Sequence, residues 1–415
     1  MGVLDTDRRV FALAFARMAD SLGNSFLIVV LPAYVGSIVG DAGAAVAGVS
    51  LSTTLLVGIA LSVFGLLNSG LQPLTGRLSD RFGTRTGFIL SGLLLLGIGS
   101  AGYPFTDSYP ALVALRALQG VGAALTIPAT VALVNELGDP DTRGGNFGVY
   151  NTFRLIGFGF GPLAAGAIQQ FYGFDAAFAV AVVGAAVGFL LVWALVDDPE
   201  ETGAAAGDDV SLAVRGESTL LDPVFTLGVA TVVMAMGISL FATLEAPINE
   251  RLDQGAFLFG TQFGVAVLAN VVFQIPIGEA SDRYGRRPFL LAGLVILVPS
   301  TLVQGFVTTS ATMIVARAVQ GLAVALVFPV SLALAGDIAG EGQSGSTLSV
   351  LTTGFGLGTA IGPLVSGVLG GVDYVAPFAF VAGLGVLALL LVTTQVYDPE
   401  TDDTPGPGGE PTPRE

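Results

Sequence analysis

Arg17 and Asp20 stand one helical turn apart inside an apolar run that begins near Val10. On a helix that spacing brings the two side chains within pairing distance. At ~1.5 Å per residue, Asp20 lies about 15 Å into the run, near the midplane of a helix that crosses a bilayer. A charge at that depth costs on the order of 2.5–3.5 kcal/mol to insert, so such residues line a cavity or pair with one another. The chemistry open to Asp20 is proton carriage, because an arginine that approaches or leaves a carboxylate switches its proton affinity; a pair that only locks helices together is the alternative. Arg116, Arg154 and Arg317 also interrupt apolar runs, and Arg17, Arg116 or Arg154 is expected to neutralise Asp20. Glu245, two residues before Pro247, is the other carboxylate that could couple a proton or ion, with a solvated outer position as its alternative. Asn24, Gln119, Asn151, Asn270, Gln274 and Gln320, with Arg317, are candidates for lining a substrate cavity. Amides on bundled helices either bind a solute or hydrogen-bond across helices.

The inventory excludes much else. The chain has no His, no Cys and no Lys; all sixteen basic residues are Arg, against 32 acidic ones and a net charge of −16. Disulfides, thiolate metal sites and imidazole proton shuttles are therefore out, and no metal or cofactor motif is present. Nothing here would neutralise a nucleic-acid backbone. Acidic residues gather outside the apolar runs, at Asp197, Asp198, Glu200, Glu201, Asp208 and Asp209 and again from Asp398. Acidic excess without lysine resembles the proteins of salt-accumulating archaea, where screening within ~3 Å at 1 M tames self-repulsion; ordinary solvated acidic tails are the alternative.

The elements that must position these residues follow from the apolar pattern. Of the 415 residues 53% are hydrophobic and 12% charged. Twelve continuous apolar runs between residues 10 and 397 read as bilayer-crossing helices rather than alternating strands. The first lacks a small-residue cleavage site and reads as a span, not a removed leader. The pattern divides the chain into a six-helix bundle at 1–196, an acidic Gly/Ala-rich linker at 197–222, a second bundle at 223–397 and a disordered acidic tail at 398–415. With the N-terminus inside, Arg8, Arg9, Arg77, Arg81, Arg85, Arg143, Arg215, Arg283, Arg286, Arg287 and Arg414 are all cytoplasmic and Arg251 is outside. That bias sets both termini in the cytoplasm.

The halves repeat one another. "GRLSDRFGTR" at Gly76 returns as "GEASDRYGRR" at Gly278, "RALQGVGAALTIPA" at Arg116 as "RAVQGLAVALVFPV" at Arg317, and Gly161-Pro162 as Gly362-Pro363. Landmarks in one register mean a duplicated six-helix unit, with a site between the two copies.

These motifs carry a family likeness across roughly residues 8–397. The chain resembles the major facilitator superfamily, and within it the twelve-helix drug–proton antiporters, the tetracycline-efflux branch included. "GRLSDRFGTR" is similar to the loop signature between the second and third helices, with Thr84 where a basic residue is usual. "LVALRALQGVGAA" is similar to the fourth-helix signature around Arg116. "GFGFGPLAAG" at Gly157 resembles the fifth-helix antiporter signature, with Ala165 replacing a glycine, and "DSLGNSFLIVVLP" at Asp20 resembles the first-helix pattern. The resemblance implies an all-α membrane protein of twelve transmembrane helices in two pseudo-symmetric bundles.

It also implies a conformational gate at Gly76, Asp80, Arg81, Gly83 and Arg85, repeated at Gly278, Asp282, Arg283 and Gly285. Gly76 and Gly83 would permit tight turns at the loop ends. Asp80 would face the N-terminus of the eleventh helix, near Ser346, and by symmetry Asp282 that of the fifth, near Asn146. An anion at such a terminus gains about 0.3–2 kcal/mol. Glu136 and Asp337, at helix ends, read as solvated. Gly157, Gly161, Pro162 and Gly166, with Gly362 and Pro363 at the repeat, would pack helices closely.

The function expected is proton-coupled export of amphipathic organic compounds across the plasma membrane, by antiport with a proton or, in a salty habitat, sodium. The acting unit is expected to be a monomer that carries no cofactor and is not an enzyme. An importer on the same frame and a substrate-sensing receptor are the alternatives.

Overall fold

A computed structural model describes residues 7–40, 44–46, 49–137, 143–198, 214–216, 219–338 and 344–396. Eleven helices among these are long and apolar enough to cross a bilayer. The chain opens with α1 (Arg8–Val39), α2 (Thr53–Phe82), α3 (Arg85–Gly102) and α4 (Tyr109–Glu136). The next element, Arg143–Leu195, breaks at Gly173, whose φ of 83° is left-handed. Gly157 and Gly188 both lie against residues 16–18 of α1. On a straight helix they would stand about 45 Å apart, so the chain reverses at Gly173. The two arms are α5 (143–172) and α6 (174–195), which makes twelve passes. The second half holds α7 (Pro223–Thr243), α8 (Ala256–Tyr284), α9 (Arg286–Val303), α10 (Ser310–Ile338), α11 (Ser344–Gly370) and α12 (Ala376–Gln395).

Two details depart from the apolar pattern. A small antiparallel ribbon, Ala44–Val46 with Val49–Leu51, sits between α1 and α2. The seventh apolar helix stops at Thr243, and a short helix Glu245–Arg251 follows. Most of the acidic linker and all of the tail from 398 lie outside the described residues. At the linker's edges, Asp198 Oδ1 accepts from the Thr86 backbone N–H at 2.8 Å and so caps α3, whose first amides have no intrahelical partner. Leu221 N–H donates to Gln395 Oε1 at 3.1 Å.

Pairs of side chains repeat the halves in three dimensions. In the first half Arg116 Nε donates to Ala60 O, its Nη1 to Gln119 Oε1, and Gln119 Nε2 to Ser100 Oγ at 3.0 Å. In the second, Arg317 donates to Gln262 O and Gln320 Oε1, and Gln320 Nε2 donates to Thr301 Oγ1 at 3.1 Å. Each guanidinium also lies over a ring, Phe64 for Arg116 and Phe241 for Arg317, at 4.4 and 4.2 Å from the centroids. Ser25 Oγ donates to Gly157 O, and Ser239 Oγ to Gly358 O. The outer faces are apolar, with Leu190, Trp193, Val295 and Leu390 exposed. In water they would be a liability; in lipid they are solvated.

Candidate functional site

Glycines bring the two halves together at the end opposite the arginine-rich loops. A Cβ on Gly58 of α2 would come closer than 3.0 Å to Pro363 O of α11, and one on Gly367 of α11 closer than 3.0 Å to Thr54 O of α2. The same pair recurs by symmetry: Gly260 of α8 against Pro162 O, and Gly166 of α5 against Ala256 O. Backbone meets backbone at both seams because no side chain intervenes. The fifth-helix motif thus divides its labour. Gly157 and Gly161 pack α5 on Met18 and Ser25 of α1, within one half, whereas Pro162 and Gly166 close against the other half.

The α2–α11 seam continues through Gly65–Ala360 and Ser69–Gly356. Beyond it, toward the arginine-rich end, the walls part: Gln72, Pro73 and Arg77 face Ser349, Thr352 and Thr353 across a central cavity of about 1180 Å³. The cavity is therefore closed at one end and open at the end that carries the charged loops.

Several sequence candidates line it: Asp20, Asn24, Arg116, Asn151, Arg154, Asn270, Gln274 and Gln320. Asp20 is buried and paired with Arg17 Nη1, one of its three candidate partners, while its Oδ1 has no hydrogen-bond partner. Arg154 Nε donates to Asn151 Oδ1 at 2.9 Å. A side cavity of about 20 Å³, room for one water, touches Asp20, Asn24, Ser100, Arg116 and Gln119 inside the first bundle. Gln119 and Arg317 are set back from the central cavity, each held in its own bundle by the hydrogen bonds above. Glu245 is not at a solvated face. It is 2% exposed, packed near Ala33 of α1 with Asn249 donating to Oε1 at 3.3 Å, and its Oε2 has no hydrogen-bond partner.

At the arginine-rich end, Gly83 and Gly285 take positive φ, 62° and 90°, and make the turns. Gly76 and Gly278 make none, because α2 and α8 run on past them to Phe82 and Tyr284. Asp80 accepts from Arg85 at 2.6 Å, and Arg85 also binds Glu136 at 2.6 Å. In the second half Arg286 bridges Asp282 at 3.3 Å and Asp337 at 2.9 Å. Glu136 and Asp337 are thus ion-pair partners rather than freely solvated charges, and Asp80 and Asp282 are held within their own halves. Arg81 and Arg283 lie beside the turns, the latter over the Tyr284 ring.

Asn68 and Gln72, hydrogen-bonded to each other at 3.0 Å, also line the cavity. The repeat register sets them opposite Asn270 and Gln274, so the signal for them was present in the sequence. Phe328 and Phe355 carried no such mark, since apolar residues in apolar helices look alike.

The sequence profile of the Major Facilitator Superfamily matches residues 13–244 and 225–414. An uncharacterized MFS-type transporter, MJ1560 of Methanocaldococcus jannaschii, is 30% identical over 176 residues, 42% of this chain and 46% of that protein. Multidrug resistance protein 2 of Bacillus subtilis is 24% identical over 84% of this chain and 87% of its own length. Among solved structures, a peptide transporter POT in complex with sulfate superposes with a TM-score of 0.75 at 17% identity, covering 95% of each chain.

Proposed function

The chain belongs to the Major Facilitator Superfamily, and from that premise we propose that it is a secondary transporter that moves amphipathic organic compounds by alternating access. The observation that carries this reading is the central cavity between the bundles, sealed by glycine seams at one end and open at the other, with the Asp20–Arg17 pair in its wall. The arginine bias orients the open end toward the cytoplasm. Rocking one bundle on the other would break the seams and close the arginine-rich end. Asp20 is the group that exchanges a proton, because it alone among the described acidic residues touches the cavity. The direction is export from the cell across the plasma membrane, as the kinship with a multidrug resistance protein suggests. The proposed acting unit is a monomer.

Reconstituted into liposomes, the protein should move an amphipathic organic solute when a proton gradient is imposed, and the solute's movement should dissipate that gradient. Binding without flux would replace this reading with that of a receptor. Uptake into intact cells would replace export with import.

A further inference from the structure

Within this transporter reading, the cavity's charge narrows the substrate. The chain carries twice as many acidic as basic residues, yet at the cavity basic residues outnumber acidic ones. The charged residues that touch it among those described are Arg17, Arg77, Arg116, Arg154 and a single carboxylate, Asp20. Arg17 and Arg154 line the same cavity wall with Asp20 and Asn151. Asp20 pairs with Arg17; Arg154 has no carboxylate partner among the described residues, only the Asn151 amide.

All of these charges belong to the first bundle. The register of Ser25 with Ser239 sets Thr231, Met234 and Ile238 where the first half has Arg17, Asp20 and Asn24. That of Gly157 with Gly358 sets Phe355 where it has Arg154. The second bundle's wall is accordingly uncharged and aromatic, built around Phe225, Phe263, Phe328 and Phe355. Arg154, half-buried and without an anion, keeps unused N–H donors toward the cavity, and a carboxylate, sulfate or phosphate would take them in pairs.

We propose that the cavity selects amphipathic organic anions, with the anionic head held by Arg154 and Arg17 and the apolar body laid on the phenylalanine wall of the second bundle. The Asp20 carboxylate competes with the substrate's head for Arg17.

The test is equilibrium binding to the full chain in detergent, with matched trios sharing naphthyl, biphenyl or steroid bodies: a carboxylate, its neutral amide and the corresponding alkylammonium. In at least one trio the carboxylate should bind about tenfold or more tightly than the ammonium, the scale of one charge-assisted hydrogen bond. Arg154→Gln should remove that preference by weakening carboxylate binding far more than amide binding, Arg154→Lys should keep part of it, and Asp20→Asn should strengthen carboxylate binding. An ammonium that binds as well as or better than its carboxylate overturns the proposal while leaving a transporter of cations or neutral solutes standing. So does an anion preference that survives Arg154→Gln. Binding by no member of any trio counts against the central cavity as a solute site altogether, and with it the reading on which this proposal rests.

Discussion

Asp20 lies in the cavity wall with Arg17 as its partner and one oxygen lacking a hydrogen bond. A carboxylate so placed is stable charged only while its arginine stays, and stable neutral when the arginine is drawn away. We predict that Asp20→Asn abolishes proton-driven flux in liposomes while solute-for-solute counterflow persists, because exchange needs the cavity and its motion but no proton. Wild-type pH dependence of flux in that variant would remove Asp20 from coupling. Sequence made this pair legible because its spacing is local. Arg317 was opaque for the opposite reason: one of its acceptors, Gln262 O, is a backbone atom on another helix, which no side-chain pattern marks. Arg85 and Glu136 are 51 positions apart in the chain, and an acidic residue at a helix end has the same appearance whether it meets solvent or an arginine.

At the scale of helices, the seams of α2 with α11 and α5 with α8 hold one end shut through bare backbone. Sequence showed the Gly-Pro pairs at 161–162 and 362–363 and their repeat. It did not show that each motif splits its contacts between its own bundle and the opposite one, since both kinds of packing ask for the same small residues. The seams are also where a single side chain can act as a wedge. Leucine at Gly58 would drive into Pro363 O, so Gly58→Leu should disfavour the state closed at this end and lower flux at least about tenfold, a ~1.4 kcal/mol shift. Gly383, on α12 with open space around it, is the control position, and Gly383→Ala should transport normally. Access of a membrane-impermeant thiol reagent to Ser69→Cys, introduced into this cysteine-free chain, reports the population. Labelling from outside should rise in the Gly58→Leu background, and an unchanged rate would show that the seam is not a gate.

Over the whole molecule, two bundles repeat the same internal bonds while differing in what they show the cavity: charge from one, aromatic surface from the other. The repeat was legible because its landmarks share a register; the asymmetry became visible only once the register was fixed by contacts such as Ser25–Gly157 and Ser239–Gly358. The net charge of −16, unrelieved by lysine, predicts that the thermal midpoint in detergent rises as KCl goes from about 0.1 to 1 M, where the Debye length falls to ~3 Å. A flat or falling midpoint would remove the salt-adapted reading. The proposed gate belongs to this scale as well. With the arginine-rich end open, Asp80 is held by Arg85, and Arg85 keeps Glu136 as a second partner. Asp80 is therefore free to leave Arg85 without stranding it, and the N-terminus of α11 is the partner the family signature implies once that end closes. The proposed contact with that N-terminus would by itself contribute about 0.3–2 kcal/mol, or roughly a twofold to thirtyfold change in population. Asp80→Asn should thus move the equilibrium toward the state open at the arginine-rich end. Spin labels at Phe82→Cys and Thr352→Cys, read by pulsed dipolar spectroscopy in nanodiscs, should show the longer distance gaining weight. An identical distribution in the two backgrounds would mean that Asp80 only holds Arg85 in place and takes no part in closing the other end.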